Sequence, residues 1–470
     1  MLQLKNSLIK NIAIILLLSS TVAVQGQKST SNILTYSEYL GYVKKFHPRM
    51  KQANIKIAEG EATLMKARGA FDPKIEVDYQ KKQFKATEYY SLLNSRFKIP
   101  TWYGIEVKAS FDNAEGVYVN PQLSTPNSGL TSVGVTIPLG QGLWINERMT
   151  DLRKGKLQVQ LSTAEQKLAA IEVVYEASVA YFDWLKAHNE LKLYQDYVAF
   201  AETRKKGIIT LIEQGDKPAI DSIEAGIIIK SRKINLQEAE LKLAKAKLEL
   251  ATFLWIDNVP VELQDTIVPD ESLQNTIIND LPFDRIATAN AASETHPKIV
   301  ALQRKIDILT LDQKLKANLL LPKLDVGYYY LSEPSYFDNY KWNDYKVGVN
   351  FTFPLFLRKE RGTLNLAKLK LQDSQLDLSI ERLQLDNKII AGQTEISVLQ
   401  NQISITKTLI TDYTTMLISE ERLFSFGESS MFLINSRENS LISSQISQIN
   451  LENRYFNSYA NLFRIMGILD

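Results

Sequence analysis

The sequence predicts a mostly helical chain that also carries membrane β-strands, and it predicts a two-fold internal repeat. Three observations lead there. His-Pro pairs at 47–48 and 296–297 each stand ahead of a basic amphipathic pattern. Two proline-free stretches, 144–213 and 359–426, carry apolar residues at steps of three and four, the seam of a coiled coil. Ahead of each lie runs in which apolar and polar residues alternate strictly, as in a strand with one apolar face.

Composition sets the outer bounds. The 470 residues are 45% hydrophobic and 23% charged, with a net charge of +2, so a sizeable core is possible and no basic footprint for nucleic acid is present. There is no cysteine, which excludes disulfides, thiolate metal sites, a thiol nucleophile and a lipid-modified N-terminal cysteine. The start of the chain, Lys5 and Lys10 followed by the apolar run 12–18 and the small residues Val24 and Gly26, reads as a secretory signal peptide over 1–26. A membrane anchor is the alternative, but the apolar run falls short of the roughly 20 residues a spanning helix needs.

Repeat 1 is expected over 27–256. After the helix that follows His47, the strand region 74–139 opens with Ile75, Val77 and Tyr79 alternating with polar neighbours. It closes on "SVGVTIPLG", where Val135 and Ile137 share a face with Thr136 opposite. Between these, "YGIEVKASF" (103–111) alternates like an extra strand, and "NPQLSTPNSG" (120–129) is turn-rich and reads as an exposed loop. The long helix 144–213 has Leu157, Leu161, Ala164, Leu168, Ile171 and Tyr175 along its seam. It stops at Gly215-Asp216, a glycine cap, and a return helix follows over 219–254.

A proline-broken linker, 257–292, leads to repeat 2 over 293–470. Its strand region 323–355 carries Leu324 and Val326, then Val349 and Phe351, again on alternating positions. Its long helix 359–426, with Ile396, Leu399, Ile403, Thr406, Ile410, Tyr413 and Leu417 on the seam, ends at Gly427-Glu428, and a return helix covers 431–466. The two His-Pro pairs therefore read as a repeated helix-start feature. A split metal site is the alternative, disfavoured because no carboxylate or second histidine stands beside either pair at ligand spacing.

The strands have no amphipathic partner nearby in sequence to cover their apolar face, so lipid is the expected cover, with Ile75, Val77, Val135, Ile137, Leu324, Val326, Val349 and Phe351 facing it. About four strands per chain cannot close a barrel. Open edges inside a bilayer leave backbone groups unbonded, so closure demands further copies. Three copies give a shared transmembrane barrel of about twelve strands, within the known range. The same symmetry rings the coiled-coil hairpins into an α-helical barrel.

No Walker-type loop, nucleophile elbow or zinc-protease motif is present, so no catalytic, cofactor-binding or metal residues are assigned. Asp221 and Glu224 share a helix face, which reads as solvated rather than as an acid–base pair. Sparse His and Met weaken a soft-metal exporter. A periplasmic coiled-coil scaffold would account for the helices but not for the alternating strands.

Taken in this order, the signal peptide, the Pro-bounded strand pairs and the Gly-ended long helices resemble TolC-like outer-membrane efflux proteins. "TIPLGQGLW" and "FTFPLFLRKERG" stand where that family has its strand-to-helix junctions, and "GDKPAIDSIEA" and "GESSMFLINSREN" where it has its periplasmic helix turns. The resemblance spans essentially the whole mature chain. It implies a homotrimer in the outer membrane with a long periplasmic tunnel. It implies docking of the hairpin turns (Gly215, Asp216, Gly427, Glu428) onto a periplasmic adaptor, and an inner-membrane transporter driving small molecules through a passive duct. The exit duct of a type I protein secretion system is the nearest alternative. The family often carries acidic residues after the second turn, constricting the tunnel. Here Asn435, Ser436 and Arg437 stand there, so Glu428, Asn435 and Arg437 become the gate candidates.

Overall fold

The computed structural model describes residues 33–273, 295–336 and 341–468. The predicted signal peptide and the linker from 274 onward lie outside the described residues.

Helix α1 (Tyr36–Phe46) starts at Thr35, whose hydroxyl accepts from the Glu38 N–H, and α2 (Pro48–Gly69) follows at once. Its N-cap is His47, where Nδ1 accepts from the Arg49 N–H at 3.3 Å and Pro48 occupies the first helical turn. Proline there costs nothing, because its missing donor is one the helix leaves unbonded anyway. His296 does the same for α5 (Pro297–Asn318), its Nδ1 accepting from the Lys298 N–H at 3.1 Å. His47 stacks on Phe253, just past the first return helix, and His296 packs against Gly467, just past the second. Each His-Pro pair thus caps a helix and wedges it against the end of a return helix.

Apart from four two-residue strands that pair in two small sheets, the strands among the described residues are β1 (Lys74–Phe84), β2 (Thr87–Pro100), β3 (Glu106–Glu115), β4 (Leu130–Pro138), β5 (Lys323–Ser332) and β6 (Tyr345–Thr352). They form one antiparallel sheet in the order β6-β5-β4-β3-β2-β1. The expectation of about four strands is therefore corrected to six. The missed element is β2, and the reason is local. Its turn from β1 runs through Lys85 and Ala86 at φ 51° and 58°, where the usual two-residue signal is Asn-Gly. Adjacent Leu92 and Leu93 also break the strict alternation.

The register sorts the side chains. One row across all six strands reads Ile75, Phe97, Ala109, Val133, Tyr330, Tyr345. Another, on the opposite face, reads Lys74, Lys98, Lys108, Gly134, Tyr329, Lys346. The two Val-Gly-Val triplets diverge here. Gly134 lies so close to the neighbouring strand that a Cβ would meet the Tyr328 carbonyl oxygen at 2.0 Å, whereas Gly348 faces open space. Tyr329 runs along this seam, its hydroxyl 2.6 Å from Thr136 Oγ1.

Helices α3 (Glu147–Glu213, 67 residues) and α6 (Arg358–Ser425, 68 residues) are each about 100 Å long at 1.5 Å per residue. The return helices are α4 (Ile220–Ala251) and α7 (Met431–Met466). Helix α3 begins after Asn146, whose side-chain oxygen accepts from the Met149 N–H at 2.8 Å. It packs against α2, α4, α5 and α7, and is buried nearly all round between 170 and 187. Helix α6 packs on α5 and α7, and its buried residues fall along one seam that includes Ile396, Leu399 and Ile403. The main core joins α1, α3 and α7 through Tyr36, Tyr39, Tyr181, Phe182, Trp184 and Phe456. Burial pushes the Tyr39 phenol well above its ordinary range, so it stays neutral and donates to the Ala177 carbonyl at 3.1 Å. Among the described residues no helix is long and apolar enough to cross a membrane.

Candidate functional site at the hairpin ends

Both long helices reverse in the same way. Gly215 and Gly427 adopt φ of 84° and 80°, a region that glycine enters without steric cost. At the first turn the Asp216 N–H donates to Leu211 O at 2.9 Å and the Gly215 N–H to Ile212 O at 3.0 Å. At the second, Glu428 bonds Leu423 O at 3.0 Å and Gly427 bonds Phe424 O at 3.1 Å. This double bond pattern satisfies carbonyls that a helix end leaves free. The two turns sit together, since Lys217 Nζ lies 4.0 Å from the Phe424 ring centroid. Behind them a separate small core gathers Ala201, Ile208, Ala225, Ile228, Met431 and Ile434 from three helices.

Next to this core sits a charged cluster. Glu438 of α7 is 1% exposed. Its two carboxylate oxygens accept from Arg204 of α3 at 3.0 Å and from Arg232 of α4 at 3.2 Å. Arg232, also buried, donates to Asn439 Oδ1 at 2.7 Å, and Arg204 reaches Glu421 of α6 at 2.7 Å. All four helices of the two hairpins are thus tied at one point. Tyr197 completes the layer. Burial, reinforced by the Glu438 charge, pushes its phenol up to about 12, and its hydroxyl donates to Gln445 Oε1 at 2.6 Å.

The sequence-derived gate candidates divide around this cluster. Arg437 pairs with Glu420 at 3.5 Å on the partly exposed side of α7, while Glu421 and Glu438 go to Arg204. Asn435 accepts from Asn439 at 3.4 Å and lines a groove of about 610 Å³ with Ser436, Ser440 and Tyr413. Glu428 is exposed at the turn itself. Arg204 and Arg232 did not stand out by residue type. A signal for Arg232 and Glu438 was nonetheless present, because each interrupts an apolar seam. Ala225, Ile228 and Ala239 flank Arg232, and Ile434 and Leu441 flank Glu438, at helical spacing.

At the opposite end, Ile75, Val77, Val135, Ile137, Leu324, Val326, Val349 and Phe351 fall on one face of the sheet. Ile75, Val77, Val349 and Phe351 are each more than 60% exposed in the single chain. Among the described residues no group of three or more His, Asp or Glu is placed to hold a metal ion.

The fold thus joins a sheet with one apolar face to two helices of about 100 Å. The chain superposes on the CmeC outer membrane channel of Campylobacter jejuni with a TM-score of 0.63 at 14% identity, covering 92% of this chain and 85% of that one. It superposes on the outer membrane protein VceC of Vibrio cholerae with a TM-score of 0.65 at 12% identity, covering 92% and 95%. For the open state of the Neisseria gonorrhoeae MtrE outer membrane channel the values are 0.64, 12%, 92% and 88%. Residues 289–468 match the family model described as outer membrane efflux protein. The resemblance to TolC-like outer-membrane efflux proteins drawn from the sequence is thus supported by the family model over residues 289–468 and by the fold over nearly the whole chain. A search of curated proteins finds no match.

Proposed function

We propose that three copies of this chain form a passive outer-membrane exit duct, through which an inner-membrane pump, coupled by a periplasmic adaptor, expels small molecules. The observation that carries this reading is the sheet. It has a continuous apolar face, and each of its edge strands, β1 and β6, is paired on one side only. In water an apolar face of this size has no cover, and in lipid a free strand edge has no hydrogen-bond partner. A closed oligomeric barrel satisfies both. The edges are compatible with closure, because β1 and β6 run in opposite directions across six alternating strands, so β6 of one copy can continue the antiparallel ladder onto β1 of the next.

The helices favour the same closure. In the single chain α4 exposes Ile220, Ile227, Ile234, Leu241 and Leu248 at heptad steps, and α6 exposes Leu369, Leu376, Leu383 and Ile390 likewise. Two unburied heptad stripes on neighbouring hairpins are what a coiled-coil tube buries between copies. We read the chain as two repeats, 27–256 and 293–470, whose hairpin turns at Gly215, Asp216, Gly427 and Glu428 meet the adaptor. The eight apolar strand residues named above face lipid. Glu428, Asn435 and Arg437 line the inner end of the tunnel. Mass measurement in detergent is the test: about three chains per particle is expected, and a stable monomer with its strand content intact would refute the duct.

A further inference from the structure

Whether the segment between β1 and β4 forms part of the membrane wall or a loop above it decides the size of the duct. We infer that the β2–β3 hairpin is itself barrel wall, so that each chain contributes six membrane-crossing strands. This rests on the trimeric outer-membrane reading above.

Three observations support it. First, the hairpin runs the full height of the sheet. Its turn does not stop at the outer end but reaches the strand–helix junction, where Trp102 stacks on Phe71 at 5.9 Å, Arg153 lies over the Trp102 ring, and Asn146 Nδ2 donates to the Trp102 carbonyl at 2.9 Å. Gly104 packs so tightly on this junction that a Cβ would lie 2.6 Å from the Gly142 carbonyl oxygen. Secondly, the lengths fit: β2 and β3 have 14 and 10 residues, and a tilted strand crosses with roughly 9 to 11. Thirdly, the hairpin has the face pattern of its neighbours. Phe97 and Ile99 on β2, with Val107 and Ala109 on β3, continue the apolar rows of β1 and β4. Arg96 and Lys98, with Glu106, Lys108 and Ser110, continue the polar rows. A loop above the membrane has no reason to keep one lipid-like face in register with the strands on both sides.

Three copies of six strands make an 18-stranded barrel. With strands about 4.8 Å apart and tilted by about 40°, the backbone radius rises from roughly 12 Å for twelve strands to roughly 18 Å. The cross-section of the outer end then roughly doubles. The added wall brings Arg96, Lys98, Lys108, Glu106 and Asp112 to the polar face, so the wider mouth is a charged one.

The chain has no cysteine, so single-site spin labelling is clean. Phe97→Cys, Ala109→Cys, Arg96→Cys and Ser110→Cys, with Val135→Cys and Val326→Cys as references, are labelled with a nitroxide in the assembled protein in lipid vesicles. Accessibility to oxygen and to a water-soluble nickel chelate is read at each. Oxygen preference at 97 and 109, matching 135 and 326, with nickel preference at 96 and 110, is expected. Nickel preference at 97 and 109 while 135 and 326 remain in lipid overturns the inference and leaves the barrel intact. Protection from both reagents at 97 and 109 makes the hairpin a plug and overturns it too. Nickel preference at 135 and 326 as well refutes the membrane barrel itself.

Discussion

Removing the Glu438 carboxylate should loosen the inner ends of both helical hairpins. In Glu438→Ala, Arg204 keeps Glu421, whose side chain is 45% exposed, so that pair contributes only about 0–1 kcal/mol. Arg232 is the costly partner. Its side chain is 5% exposed, and after the substitution it retains the neutral Asn439 oxygen as acceptor but has no carboxylate beside it. Breaking a buried pair by deleting one member costs about 3–5 kcal/mol, because the remaining charge is desolvated without compensation. Glu438→Gln keeps the shape and one acceptor oxygen and should cost about 1.5–3 kcal/mol, the range for hydrogen bonds to a charged group. The double variant Arg232→Met/Glu438→Leu removes both charges and should recover much of the loss. Native-state hydrogen exchange on the assembled protein reads this directly. Amides around 197–208, 225–239 and 431–445 should lose about two to four decades of protection in the alanine variant, at 1.36 kcal/mol per decade, and less in the glutamine variant. Wild-type protection in the alanine variant, or a double variant worse than either single one, would refute the idea that Glu438 compensates Arg232.

Three further outcomes follow from the same geometry. Burial lowers the pKa of both His47 and His296, so their neutral forms are favoured in the fold. The unfolded chain then binds more protons, and stability falls as pH drops below the ordinary histidine value of about 6.5. His47→Asn/His296→Asn keeps two good N-caps without titration, so its stability should fall less than that of the wild type below pH 6.5. Parallel curves from urea titrations would exclude the two imidazoles. On the sheet, Val135→Arg should cost about 2–4 kcal/mol at a lipid-facing midplane site and Thr136→Arg much less; equal losses in folding yield into lipid vesicles would put the faces the other way round. At the hairpin end, Arg437→Ala frees Glu420, and Glu428→Ala removes an exposed turn charge. Either should raise single-channel conductance in planar bilayers if its side chain narrows the tunnel, and unchanged conductance at low and high salt would remove both from the gate.

Much of this molecule is local in origin, and that part is legible in the chain. The long helices are read from apolar steps of three and four, and they end at Gly215 and Gly427 because a left-handed turn residue is needed there whatever surrounds it. The alternation of Ile75, Val77, Val349 and Phe351 marks a strand face without any knowledge of its partners. The two His-Pro pairs mark helix starts because the imidazole and the proline act on the next few residues. What tertiary structure alone decided concerns groups far apart in sequence. Strand pairing put β2 and β3 between β1 and β4, although Lys85-Ala86 gave no turn signal and β2 broke alternation. The packing of neighbouring helices around α3 turned its narrow predicted seam into a stretch, 170–187, that is buried nearly all round. Above all, the choice of Glu438 over Arg437 as the buried centre depended on which arginines the other hairpin delivered. Arg204 and Arg232 stand 234 and 206 residues away from it in sequence, and only folding brings their charges close enough to offset the cost of its burial.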